Sequence, residues 1–233
     1  MRRSANARMR HSLAAILERL SRIYCLENPS TDALSLILWE NIGYLIDDRR
    51  RDELLGEFER RVGRDPAKIA RAPGTLLLDI ARRGGMRPET RVEHWRRIAE
   101  IILSECGGDL DGRLRALPVT KARTLLKRFP AIGDPGADRI LLFCGLDARP
   151  ALDSNGLRVL VRLGLVAPSA SYAASYKAAI AHIAAALPPD RDRLVPAYML
   201  LRTHGRTLCK RTAPNCVACP LDALCAHMPT KGL

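Results

Sequence analysis

The chain has 233 residues, 47% apolar, 27% charged and 4% aromatic, enough to bury a sizeable core as one large domain or two small ones. Sixteen Gly and fifteen Pro are too few for a collagenous or low-complexity chain, and the richest apolar run, Leu34 to Trp39, falls far short of the ~18 residues of a membrane helix. A net charge of +13 points to a polyanionic partner, most often nucleic acid, although only six of the 38 cations are Lys, as an Arg-rich proteome would also give.

Apolar residues recur at helical spacing nearly everywhere and period-two alternation is almost absent, so the expected fold is all-α. Met9, Leu13, Ile16, Leu17, Leu20 and Tyr24 make one stripe of a first helix. No uninterrupted apolar stretch follows Arg2, Arg3, Arg8 and Arg10, which argues against a secretory signal. The first seventeen residues are acid-free and amphipathic, so a transit peptide competes with a first helix that belongs to the fold. Thr31 can cap a second helix running to about Ile46. Asp65-Pro66 reads as an N-cap followed by Pro at the first helical position. Further helices fit 49–62, 75–83, 88–106, 118–128, 135–145, 154–164, 170–187 and 191–208. Gly84-Gly85, Gly107-Gly108, Pro130, Pro168 and Pro188-Pro189 mark breaks between them.

Cys209-x6-Cys216-x2-Cys219-x5-Cys225 puts four thiols in 17 residues directly after the last helix. So short a loop cannot bury enough apolar surface to order itself; four soft ligands on one metal centre would supply the missing energy. Zinc also takes four Cys, commonly as two close pairs. Only Cys216 and Cys219 form a close pair here, which favours iron–sulfur and leaves zinc as the rival. Cys25, Cys106 and Cys144 read as buried apolar residues. An odd count with one dense cluster is unlike a secreted disulfide framework.

Phe129-Pro130-Ala131-Ile132-Gly133 lies between two amphipathic segments. A hairpin this tight needs Gly133 for an unusual backbone angle, with Asp134 and Pro135 as N-cap and first residue of the next helix. Free N–H groups at such a turn can hold a phosphate without reading sequence, although any helix–turn–helix connection would look similar. Twenty residues on, Leu152-Asp153-Ser154-Asn155 precedes Gly156 to Arg162; an Asp at a helix start reads first as a cap.

Together these segments resemble the helix-hairpin-helix DNA glycosylase superfamily, in its iron–sulfur branch of endonuclease III and A/G-specific adenine glycosylases. His204-Gly205-Arg206 and the 6-2-5 cysteine spacing look like its cluster loop, the 129–133 segment like its hairpin, and Asp153 with its Arg-bearing helix like its catalytic aspartate. The resemblance implies a [4Fe-4S] cluster on Cys209, Cys216, Cys219 and Cys225. It also implies phosphate contacts from Ile132, Gly133, Gly136, Arg158, Arg206, Lys210 and Arg211. Its fold would be a six-helix barrel, 29–147, carrying the hairpin within 118–145, and an iron–sulfur domain of 1–28 plus 148–233, with a DNA groove between the two lobes. Two departures stand at the hairpin: Ala131 replaces a usual glycine, and Asp134 puts negative charge beside the expected phosphate.

The implied activity is base excision repair, with hydrolysis of the N-glycosidic bond of a damaged or mispaired base flipped from duplex DNA. An ionised Asp153 would stabilise the positive charge developing on the deoxyribose and align water. Bifunctional relatives carry a Schiff-base Lys where this chain has Pro135, so a monofunctional enzyme is expected. The alternatives are an endonuclease III-like lyase using another amine, a non-catalytic iron–sulfur DNA-binding protein, and a zinc-binding helical regulator. Leu38 to Tyr44 stands where relatives carry the Gln-containing turn that fills the gap left by the flipped base. Glu40 and Tyr44, one turn apart, would share a helix face beside Asn41. Near the base pocket Glu40 could protonate a leaving base; an interhelical salt bridge to an Arg is the competing role. Trp39 reads as core packing before base stacking. Glutamate of the adenine glycosylases falls near Ser35, which leaves adenine release unsupported. The expected state is a monomer in the bacterial cytoplasm, at the nucleoid, without membrane association.

Overall fold

The structure, a computed structural model, describes residues 12–227. Met9, the early arginines and most of the transit-peptide segment lie outside the described residues. Twelve α-helices carry these residues: α1 Leu13–Ser21, α2 Ala33–Asn41, α3 Asp48–Arg61, α4 Pro66–Arg71, α5 Gly74–Arg82, α6 Pro88–Glu105, α7 Leu110–Ala116, α8 Val119–Leu126, α9 Asp134–Phe143, α10 Ser154–Arg162, α11 Tyr172–Ala186 and α12 Arg191–Thr207. A single 3-10 turn, Asp222–Leu224, follows. The only extended pairing among the described residues is an isolated bridge between Tyr44 and Gly85. No helix among them is long and apolar enough to cross a membrane.

Aspartate starts six of these helices. Asp32, Asp47, Asp65, Asp109, Asp153 and Asp190 are N-caps whose side chains accept a backbone N–H from the first turn, satisfying a donor that has no helical partner there. Two elements differ from the sequence expectation. Helix α2 stops at Asn41 instead of near Ile46: the chain turns back, Tyr44 donates its N–H to the Gly84 carbonyl at 2.8 Å, and Leu45 takes a positive φ of 59°. Helix α7 fills what sequence left as a connection.

The chain divides into two compact units, Pro29–Asp147, and Met1–Asn28 with Ala148–Leu233. In the first, α2 is apolar on every side and buried from Ala33 to Leu38. Helix α6 lies against α4 and α5, and its Trp95 meets Phe58 of α3 edge-on at 4.8 Å between ring centroids. The hairpin helices α8 and α9 pack on each other in the same unit.

In the second unit α12 is the spine, with α10 and α1 packed against it. Gly205 permits that approach: a Cβ there would sit 2.5 Å from the Asn155 carbonyl oxygen. Two residues past the α10 cap, backbone thus touches backbone, and the side chains of α12 on either side of Gly205 border the start of α10.

Candidate functional site

Asp153 caps α10 with one oxygen, Oδ1, which accepts the Gly156 N–H at 2.8 Å. The cap role is therefore real, and it leaves Oδ2. That oxygen accepts from Asn155 Nδ2 at 2.8 Å and stands 3.4 Å from Arg202 Nε of α12, with the Asp153 side chain 22% exposed. A carboxylate held by a backbone donor, an amide and a guanidinium, mostly covered yet reachable, is fixed in orientation. Asp153 also acts at a distance: burial first, and then the negative charge of Asp153, raise the Tyr172 phenol above its ordinary value.

From Asp153 helix α10 leads to the cysteine loop through two arginines. Arg158 donates from Nε to the Cys209 carbonyl at 2.9 Å and from Nη2 to Gly205 O at 2.7 Å and Asn155 Oδ1 at 2.9 Å. Arg162 donates from Nη1 to Lys210 O at 2.7 Å and from Nη2 to Arg211 O at 3.2 Å. Its Nη1 also lies 3.4 Å from Cys209 Sγ. The Arg162 carbonyl accepts the His227 N–H at 3.0 Å and the Cys225 thiol at 3.4 Å. One residue thus grips the entry and the exit of the loop.

All four loop cysteines are free thiols, and all four line one cavity whose walls include Val159, Leu163, Leu208 and Leu221. Buried His204 holds Nδ1 at 3.0 Å from the Tyr24 hydroxyl and Nε2 at 3.6 Å from Cys219 Sγ; burial pushes its pKa down to about 4. Burial also raises the Cys219 and Cys225 thiols, and the neighbouring sulfurs add to that rise. A bound cation relieves both effects by stabilising thiolate. Among the described residues no three His, Cys, Asp or Glu side chains converge closely enough for a single metal ion.

On the other side of α10 an open basin of about 760 Å³ is lined by Arg158, Arg206, Lys210 and Arg211, together with Ser154 and Tyr172. No acid is among its described lining residues.

In the first unit the hairpin departs from the expected backbone. Gly133 is the N-cap of α9 with an extended φ of −91°, and the left-handed residue is Ala131, φ 60°. The turn therefore places its conformational demand on the position where the superfamily has glycine. Asp134 is the first residue of α9 and not its cap. Its Oδ1 pairs with Lys127 Nζ at 2.7 Å and Arg123 Nη2 at 3.1 Å; the hydrogen bond from Lys127, helped by Arg123 and opposed by burial, holds its carboxyl below the usual range. The negative charge beside the turn is thus already matched. The Ile132 N–H, expected among the phosphate donors, donates to Phe129 O at 3.2 Å within the turn. Gly133 is exposed at the cap, and Gly136, third in α9, has an N–H without a helical acceptor by its position.

Glu40 pairs with Arg139 Nη1 of α9 at 2.7 Å, the arginine side chain being 6% exposed. That guanidinium also lies 5.4 Å from the Trp39 ring centroid, and Trp39 donates its Nε1–H to Asp52 at 2.7 Å. The competing role weighed for Glu40, an interhelical ion pair, is the one it fills. Tyr44 lies beyond the end of α2, so the two share no helix face. They do line one cavity of about 260 Å³, with Asn41, Arg91 and His94. Asn41 joins that cavity to the hairpin, accepting from His94 Nδ1–H at 2.9 Å through Oδ1 and donating from Nδ2 to Pro130 O at 2.9 Å.

No family model matches the chain. It is 26% identical over 205 residues to an endonuclease III of Sulfolobus acidocaldarius, across 87% of this chain and 78% of that protein. It is 26% identical over 171 residues to a thymine-DNA glycosylase of Aeropyrum pernix, across 73% and 72%. Among solved structures, a trapped endonuclease III–DNA covalent intermediate superposes with a TM-score of 0.72 at 18% identity, over 94% of both chains. A thermostable thymine-DNA glycosylase gives 0.72 at 14% identity, over 92% of this chain and 93% of that one. The chain is thus similar in sequence to endonuclease III and thymine-DNA glycosylase relatives, and its fold is that of their solved counterparts.

Against the superfamily pattern, Pro135 falls at the second position of α9, and Lys127 of α8's end is ion-paired to Asp134. Three residues around Asp153, the cysteine loop and the basin escaped the sequence: Arg202 on Asp153, Arg162 on the loop, and Tyr172 in the basin. An arginine on an amphipathic helix carries no mark of its partner. The i, i+4 pair Arg202 and Arg206 around Gly205 was the one signal available, since glycine inside a helix implies close approach.

Proposed function

We propose that this chain is a monofunctional DNA glycosylase of base excision repair, which hydrolyses the N-glycosidic bond of a damaged or mispaired base with Asp153 as catalytic carboxylate. The observation that carries the reading is the second oxygen of Asp153, held by Asn155 and Arg202 after the first has capped α10. Positive charge builds on the deoxyribose as the base departs. A preorganised carboxylate at that point stabilises the transition state and orients the attacking water. The base must leave the duplex to reach it, and Gly133, Gly136, Arg206, Lys210 and Arg211 supply the backbone contacts that position the duplex without reading its sequence.

Cys209, Cys216, Cys219 and Cys225 are the residues that would hold a [4Fe-4S] cluster. Their fit rests on the donor set: four soft thiols lining one cavity whose walls include Val159, Leu163, Leu208 and Leu221. A single zinc would draw its sulfurs to about 3.8 Å apart, from Zn–S bonds near 2.3 Å in a tetrahedron. When bound, the cluster supplies a cross-link that fixes the loop carrying Lys210 and Arg211.

The absence of an amine at position 135 supports water over lysine as nucleophile. The test is base release from duplexes carrying uracil, mismatched thymine, hypoxanthine, alkylated or oxidised bases, each with and without alkali. Abasic product that breaks only in alkali is the expected result. Strand breakage without alkali would favour the lyase, and DNA binding with no release across the panel would favour a non-catalytic binding protein.

A further inference from the structure

The basin beside α10 holds an aromatic side chain that backbone contacts to duplex DNA do not require. Tyr172 opens α11, is 49% exposed and lines the basin. Tyr176, one turn on and buried, lies nearly parallel to it, with ring centroids 6.2 Å and planes 16° apart. Tyr176 is not among the lining residues, so Tyr172 is the aromatic ring the basin presents. Across the basin Lys210 and Arg211 are exposed and have no side-chain ion pair among the described residues. A half-exposed flat ring, set among cations in a cavity with no acid among its described lining residues, matches the two halves of a nucleotide: a π-face and a phosphate. A base inside an intact duplex shows neither face, so Tyr172 would gain nothing from undamaged DNA.

We propose that this basin is a binding site for a nucleotide that has left the base stack, its base lying on Tyr172 and its phosphate on Lys210 and Arg211. The proposal rests on the function above only in taking DNA as the polyanion. Ser154 and Asn155 line the basin and directly follow Asp153 in the chain, so the site would hold the unstacked strand beside the catalytic acid.

The probe is a single-stranded oligodeoxythymidylate carrying one 5-iodouracil, mixed with the full-length protein at low salt and irradiated. Iodouracil cross-links to an aromatic ring stacked on it, and peptide mapping reads the site. The expected result is a cross-link at Tyr172. Tyr172→Ala should lose it and bind the strand about tenfold more weakly, in line with the loss of one stacked base, while Tyr172→Phe keeps both. Lys210→Ala combined with Arg211→Ala should reduce the slope of affinity against salt. A cross-link mapping elsewhere on the wild-type protein overturns the proposal without any variant having to fold. So does unaltered affinity in Tyr172→Ala. Base release from the duplex panel, run on the same wild-type preparation, separates the two readings: release without a Tyr172 cross-link sinks the basin alone, and a cross-link without release leaves the basin and sinks the glycosylase.

Discussion

Asp153 and Glu40 are both acids near helix ends, yet their surroundings hold the two charges in opposite ways. Asp153 receives three different donors spread over two oxygens, none of them in a tight ion pair. Glu40 faces a single guanidinium at 2.7 Å, and that guanidinium is nearly buried. A spread of modest donors holds a carboxylate in place without consuming its charge, so a developing cation can still feel it. A buried partner consumes the charge outright, and removing either member leaves the other unmatched. Burial and apolar neighbours alone would have ranked the two acids equally; the donors separate them.

The sharpest way to break that contrast is Asp153→Asn. Asparagine caps a helix as well as aspartate does, so folding and DNA binding should persist while single-turnover base release falls at least a hundredfold, about 3 kcal/mol in the barrier. The same helix ends at Arg162, and Arg162→Ala should release both ends of the cysteine loop. Its charge-assisted bonds to carbonyls make a loss of about 3 kcal/mol the expected scale, read as a lower melting temperature together with lower iron and sulfide per chain. Glu40→Gln should cost stability, about 2 kcal/mol for a weakened charged hydrogen bond to Arg139, and leave base release nearly intact; a collapse of release to the level of Asp153→Asn would place Glu40 in the chemistry after all.

Smaller effects sharpen the picture around the Glu40 cavity, which Ala131 also lines. Ala131 sits at φ 60°, where glycine carries no Cβ penalty, so Ala131→Gly should raise stability by about 0.5 kcal/mol in denaturant titration. Asp134 has the smallest and most conditional effect. Its folded pKa lies below the ordinary value because of Lys127, so its contribution is present above the unfolded carboxylate value and is lost as pH falls through the folded one. Wild type should therefore melt above Asp134→Asn at neutral pH, and the gap should close in acid.

Much of this was legible in the residues. A cap such as Asp65 announces a helix start, and the dense spacing of four cysteines announces residues that gather about one cavity. What stayed hidden had physical causes. Helix α2 reads as continuing because Ile42 and Ile46 keep the apolar pattern, whereas a backbone bond from Tyr44 to Gly84 forty residues away ends it. Helix α7 is short, seven residues between Gly107-Gly108 and Pro118, too few to show a period. The hairpin's left-handed residue was assigned to Gly133 on the rule that glycine takes positive φ, and the fold imposed that angle on alanine. Arg139 and Glu40 are 99 positions apart, and no local pattern connects them.

The double grip of Arg162 couples the two ends of the cysteine loop. Its guanidinium holds the carbonyls of Lys210 and Arg211, and its own carbonyl holds the N–H of His227. Both feet of the loop thus stand on one helix turn, and a disturbance of that turn reaches them together: they would slip as a pair, whichever is pulled first.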